Sequence, residues 1–153
     1  MIQILRYDPK EDDAFILNAL NKDEPARNKL NLTGHKSKFE VDTWGICLVA
    51  RNGPDHCGFI YGEMQCKKGM FYISELYVED SYRGNSIGPE LLSRTEKIAK
   101  KEFPILGGIY LFSIGFGMLE NFYKKAGFEK SGVYKNFIYK DGKYHPQTLW
   151  IKK

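Results

Sequence analysis

The residues best placed to do chemistry stand in one run, Ile73 to Leu92, which reads ISELYVEDSYRGNSIGPELL. It opens as an apolar strand (Ile73, Leu76, Tyr77, Val78), turns at Glu79-Asp80-Ser81 and enters a basic loop, Arg83-Gly84-Asn85-Ser86-Ile87-Gly88, that leads into a helix. The first amides of a helix lack internal acceptors and carry the positive end of its dipole, so this order of elements can bind an anion. Glycine leaves no Cβ between a phosphate and the backbone. Ser86 can add a hydroxyl to such a site or cap the helix with its side chain. From the glycines alone, an ordinary strand-to-helix turn is an equal reading. Glu75 interrupts an otherwise apolar strand, where unpaired carboxylates are rare. It reads as a general base, direct or through water, or as an edge charge facing solvent or a lysine. Glu63, on the preceding strand, is a second candidate for that role or for attracting a cationic substrate. No G-K-[ST] follows the glycines, which argues against a P-loop nucleotide site.

The elements that must hold these residues follow from periodicity and turn chemistry. Residues 2–7 alternate as a strand, and a helix follows Asp8-Pro9 with apolar positions Ala14, Phe15, Leu17 and Leu20. Residues 21–42 give a weak signal, with one short helix around Glu24–Leu32. Three strands come next, Trp44–Arg51, Cys57–Lys67 and Met70–Val78; their short turns make them antiparallel neighbours. The helix after the glycine loop turns Leu91, Leu92, Thr95, Ile98 and Ala99 to one face and stops at Phe103-Pro104. Gly107–Ser113 reads as a buried strand, and Met118, Leu119, Phe122, Tyr123 and Ala126 as an amphipathic helix with Gly127 at its C-cap. Phe128–Lys140 and Lys143–Ile151 form a hairpin about Asp141-Gly142.

The loop, as V-x-x-x-Y-R-G-x-x-I-G-x-x-L-L, closely resembles the acetyl-coenzyme A loop of the GNAT superfamily of N-acetyltransferases. Asn121-Phe122-Tyr123-Lys124-Lys125-Ala126-Gly127-Phe128 resembles that family's F-Y-x-x-x-G-F, at the expected distance. The element order is similar to the family's from end to end. The resemblance implies an α/β (α+β) fold: a mixed, mostly antiparallel central sheet of about seven strands, flanked by about four helices. Its two central strands, here 70–78 and 107–113, splay apart around the cofactor.

It further implies acetyl-CoA as co-substrate. The Leu76 amide would polarise the acetyl carbonyl and the Val78 amide would hold the pantetheine arm, with Tyr77 between them counted among the cofactor-binding residues. The amides of Arg83, Gly84, Asn85, Ser86, Ile87 and Gly88 would wrap the pyrophosphate. Tyr123 would act as general acid toward the departing thiolate, with Phe122 in the core and Glu75 as base. Three positions depart from the family's pattern: Ser86 where glycine is usual, Pro89 without an amide hydrogen, and Phe116 where many members carry asparagine. The function implied is acetyl transfer to a primary amine. Residues 21–42 and the hairpin loop are long enough to roof a pocket, which favours a free small amine of polyamine, aminoglycoside or amino acid type. The alternatives are a protein N-terminal or lysine acetyltransferase and a non-catalytic acyl-CoA-binding regulatory domain.

Composition narrows the remainder. With 153 residues, 42% hydrophobic and 14% aromatic, the chain is expected to form one packed domain over 1–153. A net charge of +4 without a dense basic block argues against nucleic acid. Cys47, Cys57 and Cys66 form no C-x-x-C pair and the three histidines stand apart, so no metal site is expected. The cysteines read as small apolar residues of adjacent strands, and His56 as an exposed turn residue. No apolar run approaches the length of a membrane span, so a reduced, cytoplasmic protein is expected, with a homodimer left open.

Overall fold

Alternation of apolar side chains, first toward one helical layer and then toward the other, organises the molecule around a sheet. The computed structural model describes residues 1–22, 37–114, 118–140 and 142–153. In chain order its elements are β1 (Ile2–Arg6), α1 (Pro9–Leu20), β2 (Gly45–Asn52), β3 (Asp55–Gln65) and β4 (Met70–Val78). After a 3-10 turn over Asp80–Tyr82 come α2 (Ile87–Glu102), β5 (Gly108–Ile114), α3 (Met118–Lys125), β6 (Glu129–Lys140) and β7 (Lys143–Lys152). The strands form one sheet in the order β1-β2-β3-β4-β5-β7-β6. Every neighbouring pair is antiparallel except β4 with β5. The mixed, mostly antiparallel sheet of seven strands is thus as the sequence predicts. Three α-helices are described where about four are expected. The short helix expected around Glu24–Leu32 lies outside the described residues.

One face of the sheet packs on α2. Ile87, Leu91, Leu92 and Ala99 close over Ile46, Leu48, Ile60, Phe71, Ile73, Ile109 and Leu111. Each such buried aliphatic side chain stabilises by about 1.5–3 kcal/mol relative to exposure. Trp150 of β7 completes this core, its indole Nε1 donating to the Ser113 hydroxyl at 2.9 Å. The other face, carrying Cys47, Val49 and Phe59, packs on Ile16 of α1. Cys47 and Cys57 are buried in adjacent strands as expected, whereas Cys66 is exposed.

Two sequence-level expectations about α1 need correction. Its inward face runs through Asp12 and Ile16, both fully buried, and Ala14 is exposed. Asp12 is the reason for the difference, because a carboxylate does not register in an apolar count. It accepts from the Asp8 amide at 2.8 Å and from Arg51 Nη2 at 2.6 Å and Nε at 3.1 Å. His56 Nε2 lies 2.9 Å from the same carboxylate oxygen, and its ring stacks on Phe15 at 4.9 Å. His56 is therefore a half-buried member of the cluster that pins α1 to β2 and β3, not an exposed turn residue. Such a charge is tolerated in the interior because it is fully hydrogen-bonded.

Candidate active site

The site begins where two parallel strands part. β4 and β5 are in register from Met70↔Gly108 to Ile73↔Leu111 and no further. β4 nevertheless continues to Val78 and β5 to Ile114. At the point of parting, Ile73 pairs with Gly62 and Glu75 with Tyr61, so Ser74 is an extra residue, a β-bulge. The Glu79 amide then turns toward β3, donating to the Cys57 carbonyl at 2.8 Å. Backbone groups alternate along a strand, so Tyr77 also faces β3 while Leu76 and Val78 direct theirs to the open edge. The Val78 carbonyl accepts there from Arg83 Nε at 3.3 Å.

Beside this open edge lies a pocket of about 680 Å³ between β4, the glycine loop, α2 and α3. Leu76 and Val78 line it, as do Arg83, Gly84, Ser86, Ile87 and Gly88 of the loop and Tyr123 of α3. Eight of the eleven residues that the resemblance assigns to the cofactor or to catalysis thus line one cavity, and Glu63, the other candidate, does not. Asn85 does not line it; its side-chain amide donates to the Tyr82 carbonyl at 3.0 Å. Tyr77 packs on the opposite face of the sheet, against Phe15 and Phe59. Glu75 is half-buried outside the pocket lining, and its charge acts on the Tyr72 hydroxyl. Tyr82, Pro89, Leu119 and Phe122 also line the pocket without having been singled out for it. The signal for two of them is in the sequence, since Leu119, Phe122 and Tyr123 share one helical face at spacings of three and four. Phe116 lies outside the described residues.

The loop takes its shape from two left-handed residues, Gly84 (φ 85°) and Ser86 (φ 61°, ψ 20°). Ser86 occupies the N-cap position of α2 but makes no side-chain cap bond, so its predicted capping role is not observed. The first bond of α2 runs from the Glu90 amide to the Ser86 carbonyl at 3.1 Å. The amides of Ile87 and Gly88 precede it and have no acceptor within the helix, while Pro89 contributes none. A Cβ on Gly88 would meet the Phe122 ring at 3.5 Å, inside the pocket. Arg83 at the rim pairs with Asp80 at 3.1 Å.

At the inner end, Tyr123 is 7% exposed and packs on Trp150 and Phe128 with centroids 5.5 and 6.1 Å away. Phe122 is the more exposed of the pair, half-buried against the same core. Position within α3 explains both. The Tyr123 carbonyl accepts from the Phe128 amide at 3.0 Å, and the Lys124 carbonyl from the Gly127 amide at 3.0 Å. With Gly127 at φ 92° these two bonds close the helix and aim Tyr123 at the sheet. Burial pushes the Tyr123 hydroxyl up to about 12, so it holds its proton throughout the physiological range.

Residues 43–130, more than half of the chain, match a family model described as an acetyltransferase (GNAT) domain. The chain belongs to the GNAT acetyltransferase family. It matches no curated protein sequence. Among solved structures it is similar to a provisionally assigned streptothricin acetyltransferase from Bacillus anthracis in complex with acetyl coenzyme A (TM-score 0.61, 23% identity). That match covers 72% of this chain and 63% of the other, so the chain spans less than two thirds of that protein's length. The spermidine/spermine N-acetyltransferase SpeG from Vibrio cholerae is similar over 98% of this chain and 91% of its own (TM-score 0.73, 15% identity). Arabidopsis thaliana NAA60 in complex with acetyl-CoA is similar over 99% and 97% (TM-score 0.71, 18% identity). Identities this low show a shared fold. Among the described residues no helix is long and apolar enough to cross a membrane.

Proposed function

We propose that the protein is an N-acetyltransferase that moves an acetyl group from acetyl-CoA to a primary amine carried by a small molecule, acting as one domain over residues 1–153. The observation that carries this reading is the open edge of β4 beside a pocket that ends at a buried tyrosine. The residues present fit the co-substrate. The amides of Ile87 and Gly88 and the Arg83 guanidinium suit a pyrophosphate, and no side chain rises from Gly84 or Gly88 to exclude it. Leu76, Val78, Leu119 and Phe122 suit the less polar arm. Neighbours in fold whose structures hold acetyl-CoA support the same assignment.

Acetyl-CoA supplies the thioester carbonyl that the amine attacks, the C–N bond forming as the C–S bond breaks. The Leu76 amide is assigned to that carbonyl oxygen and the Val78 amide to the arm, because both face the open edge. Glu75 takes a proton from the incoming ammonium, directly or through water. Tyr123 gives its proton to the departing sulfur and regains one from the nitrogen or from solvent. An ammonium enters, an amide and a thiol leave, and one proton is released.

Tyr123→Phe tests this reading without opening a cavity, since only the hydroxyl is removed. Loss of a general acid lowers turnover by roughly a hundredfold to ten-thousandfold, while unfolding temperature and acetyl-CoA affinity stay close to those of the unmodified chain. Thiol release across a panel of amines reads the turnover. A phenylalanine variant within about threefold of the unmodified rate on its best amine makes Tyr123 a packing residue.

A further inference from the structure

We infer that the acceptor is a primary amine bearing a second positive charge, an aliphatic di- or polyamine, held by aromatic rings and two carboxylates on the α1 side of the fork. This rests on the acetyltransferase reading above and adds the class of amine. Phe59 packs toward Ile16 of α1, and two-residue alternation along β3 turns Tyr61 and Glu63 to the same face. Glu63 pairs across the sheet with Tyr72, and Tyr72 with Tyr110. One row further, Tyr61 pairs with Glu75. Phe112 follows Tyr110 by two positions on β5, so it shares that face. Leu76 and Val78 point the other way, into the core under α2. The proposed surface and the pocket therefore meet at the fork from opposite sides.

The surface has the chemistry of a cation site. The Tyr72 and Tyr110 rings stack at 4.9 Å, and Phe112 meets both edge-on at 6.2 Å. Ring faces attract ammonium groups, and one is already seated here, Lys68 Nζ at 5.6 Å from the Tyr110 centroid. Lys68 is an exposed residue of the turn after β3, and its flexible stem can yield to a ligand. Glu63 accepts from the Tyr61 hydroxyl at 3.4 Å and from the Gln65 amide at 3.3 Å. Both donors are neutral, so they orient the carboxylate and leave its charge uncancelled. Beyond burial and the neighbouring Tyr110, Glu75 and Glu63 both act on the Tyr72 hydroxyl and raise its pKa, so the two charges converge on one ring. The rows holding Glu63 and Glu75 are about 7 Å apart along the strand, close to the nitrogen-to-nitrogen span of a short diamine. An acceptor with a carboxylate would meet the uncancelled like charge of Glu63 there, and one with a neutral tail would gain only apolar contact with the rings and no cation–π attraction.

The test uses the full chain with saturating acetyl-CoA and three four-carbon acceptors: diaminobutane, butylamine and aminobutyrate. Diaminobutane is expected to exceed butylamine in kcat/KM by about tenfold, from one ring contact and one ion pair together, with aminobutyrate below both. Glu63→Gln and Tyr110→Leu are each expected to narrow the ratio of diaminobutane to butylamine. Calorimetric binding of diaminobutane to the CoA-loaded unmodified chain gives the same comparison without a variant that must fold. Equal use of diaminobutane and butylamine, or an unchanged ratio in folded Glu63→Gln, overturns the diamine inference and leaves acetyl transfer standing. Failure of acetyl-CoA to bind, with no acceptor used, overturns both.

Discussion

Replacing Ser86 with glycine should stabilise the protein and leave acetyl-CoA affinity within a few-fold. Ser86 sits at φ 61° and ψ 20°, and its side chain makes no cap bond to α2. A residue with a Cβ held in this left-handed region is disfavoured by about 1–2 kcal/mol. Glycine removes that strain, but its freer unfolded chain takes back about 0.4–1 kcal/mol. The net gain is about 0.5–1 kcal/mol, which for a chain of this size raises Tm by about 1–4 °C. Ser86→Ala separates strain from hydroxyl chemistry, since it keeps the Cβ and deletes the oxygen. It should stay within about 0.5 kcal/mol of the unmodified chain. Ser86→Leu places bulk in the pocket lining and should lose most acetyl-CoA binding. Thermal unfolding with and without acetyl-CoA, together with calorimetry, reads all three variants. If Ser86→Ala loses about 1 kcal/mol, the usual effect of removing an N-cap, and Ser86→Gly gains nothing, the strain argument fails. Full affinity in Ser86→Leu would place the phosphates away from this loop.

Asp12→Ala should destabilise by about 3 kcal/mol, because it strands Arg51, whose side chain is only 19% exposed; a loss below about 1 kcal/mol in urea unfolding would show that solvent replaces the carboxylate. Stability should fall as pH rises from about 9 to 12. Burial, and secondarily the Asp12 charge, pushes the Cys47 thiol up to about 12, and burial does the same to the Tyr123 hydroxyl. The folded chain thus keeps protons that the unfolded chain releases, so the stability present below the unfolded pKa values is lost toward the folded ones. Tyr123→Phe and Cys47→Ala should each flatten the alkaline slope, and an unchanged slope in both would refute the assignment.

What could be read in advance was whatever repeats or punctuates the chain. Alternation marked β1, short turns bounded β2 to β4 and the final hairpin, an apolar run marked β5, the stripe Leu91, Leu92, Thr95 and Ala99 marked the buried face of α2, and Gly127 marked the end of α3. The loop 83–88 was legible through its resemblance to the family's acetyl-coenzyme A loop, since its glycines alone left an ordinary strand-to-helix turn as an equal reading. The Asp12, Arg51 and His56 cluster was not, since its members lie up to 44 positions apart and only the fold makes a carboxylate an interior residue. The left-handed state of Ser86 was hidden because serine gives no sign of positive φ. Tyr77, grouped with the cofactor strand in the sequence, proved to face α1 for a further reason, one that also explains the fork.

That reason is Ser74. Phe71 and Ile73 face α2, and in a regular strand Glu75 and Tyr77 would follow them into that core. The extra residue shifts the parity, so Leu76 and Val78 face α2 while Glu75 and Tyr77 are carried to the other side. A bulge also bends its strand and sharpens the twist, and this one comes immediately after Ile73↔Leu111, the last pair between β4 and β5. A single residue thus does two things: it opens the edge toward which Leu76 and Val78 point, and it moves a carboxylate out of the core to the proposed amine side. Deleting Ser74 should undo the first and keep the second, because Ile73, Glu75 and Leu76 would then alternate correctly in an unbulged strand. β4 and β5 would pair beyond Ile73, and the Leu76 and Val78 amides would gain strand partners. The expected result is a folded variant with slower hydrogen exchange at those two amides and no measurable acetyl-CoA binding. A folded deletion variant that binds acetyl-CoA as tightly as the unmodified chain would show that the strands part for some other reason than the bulge.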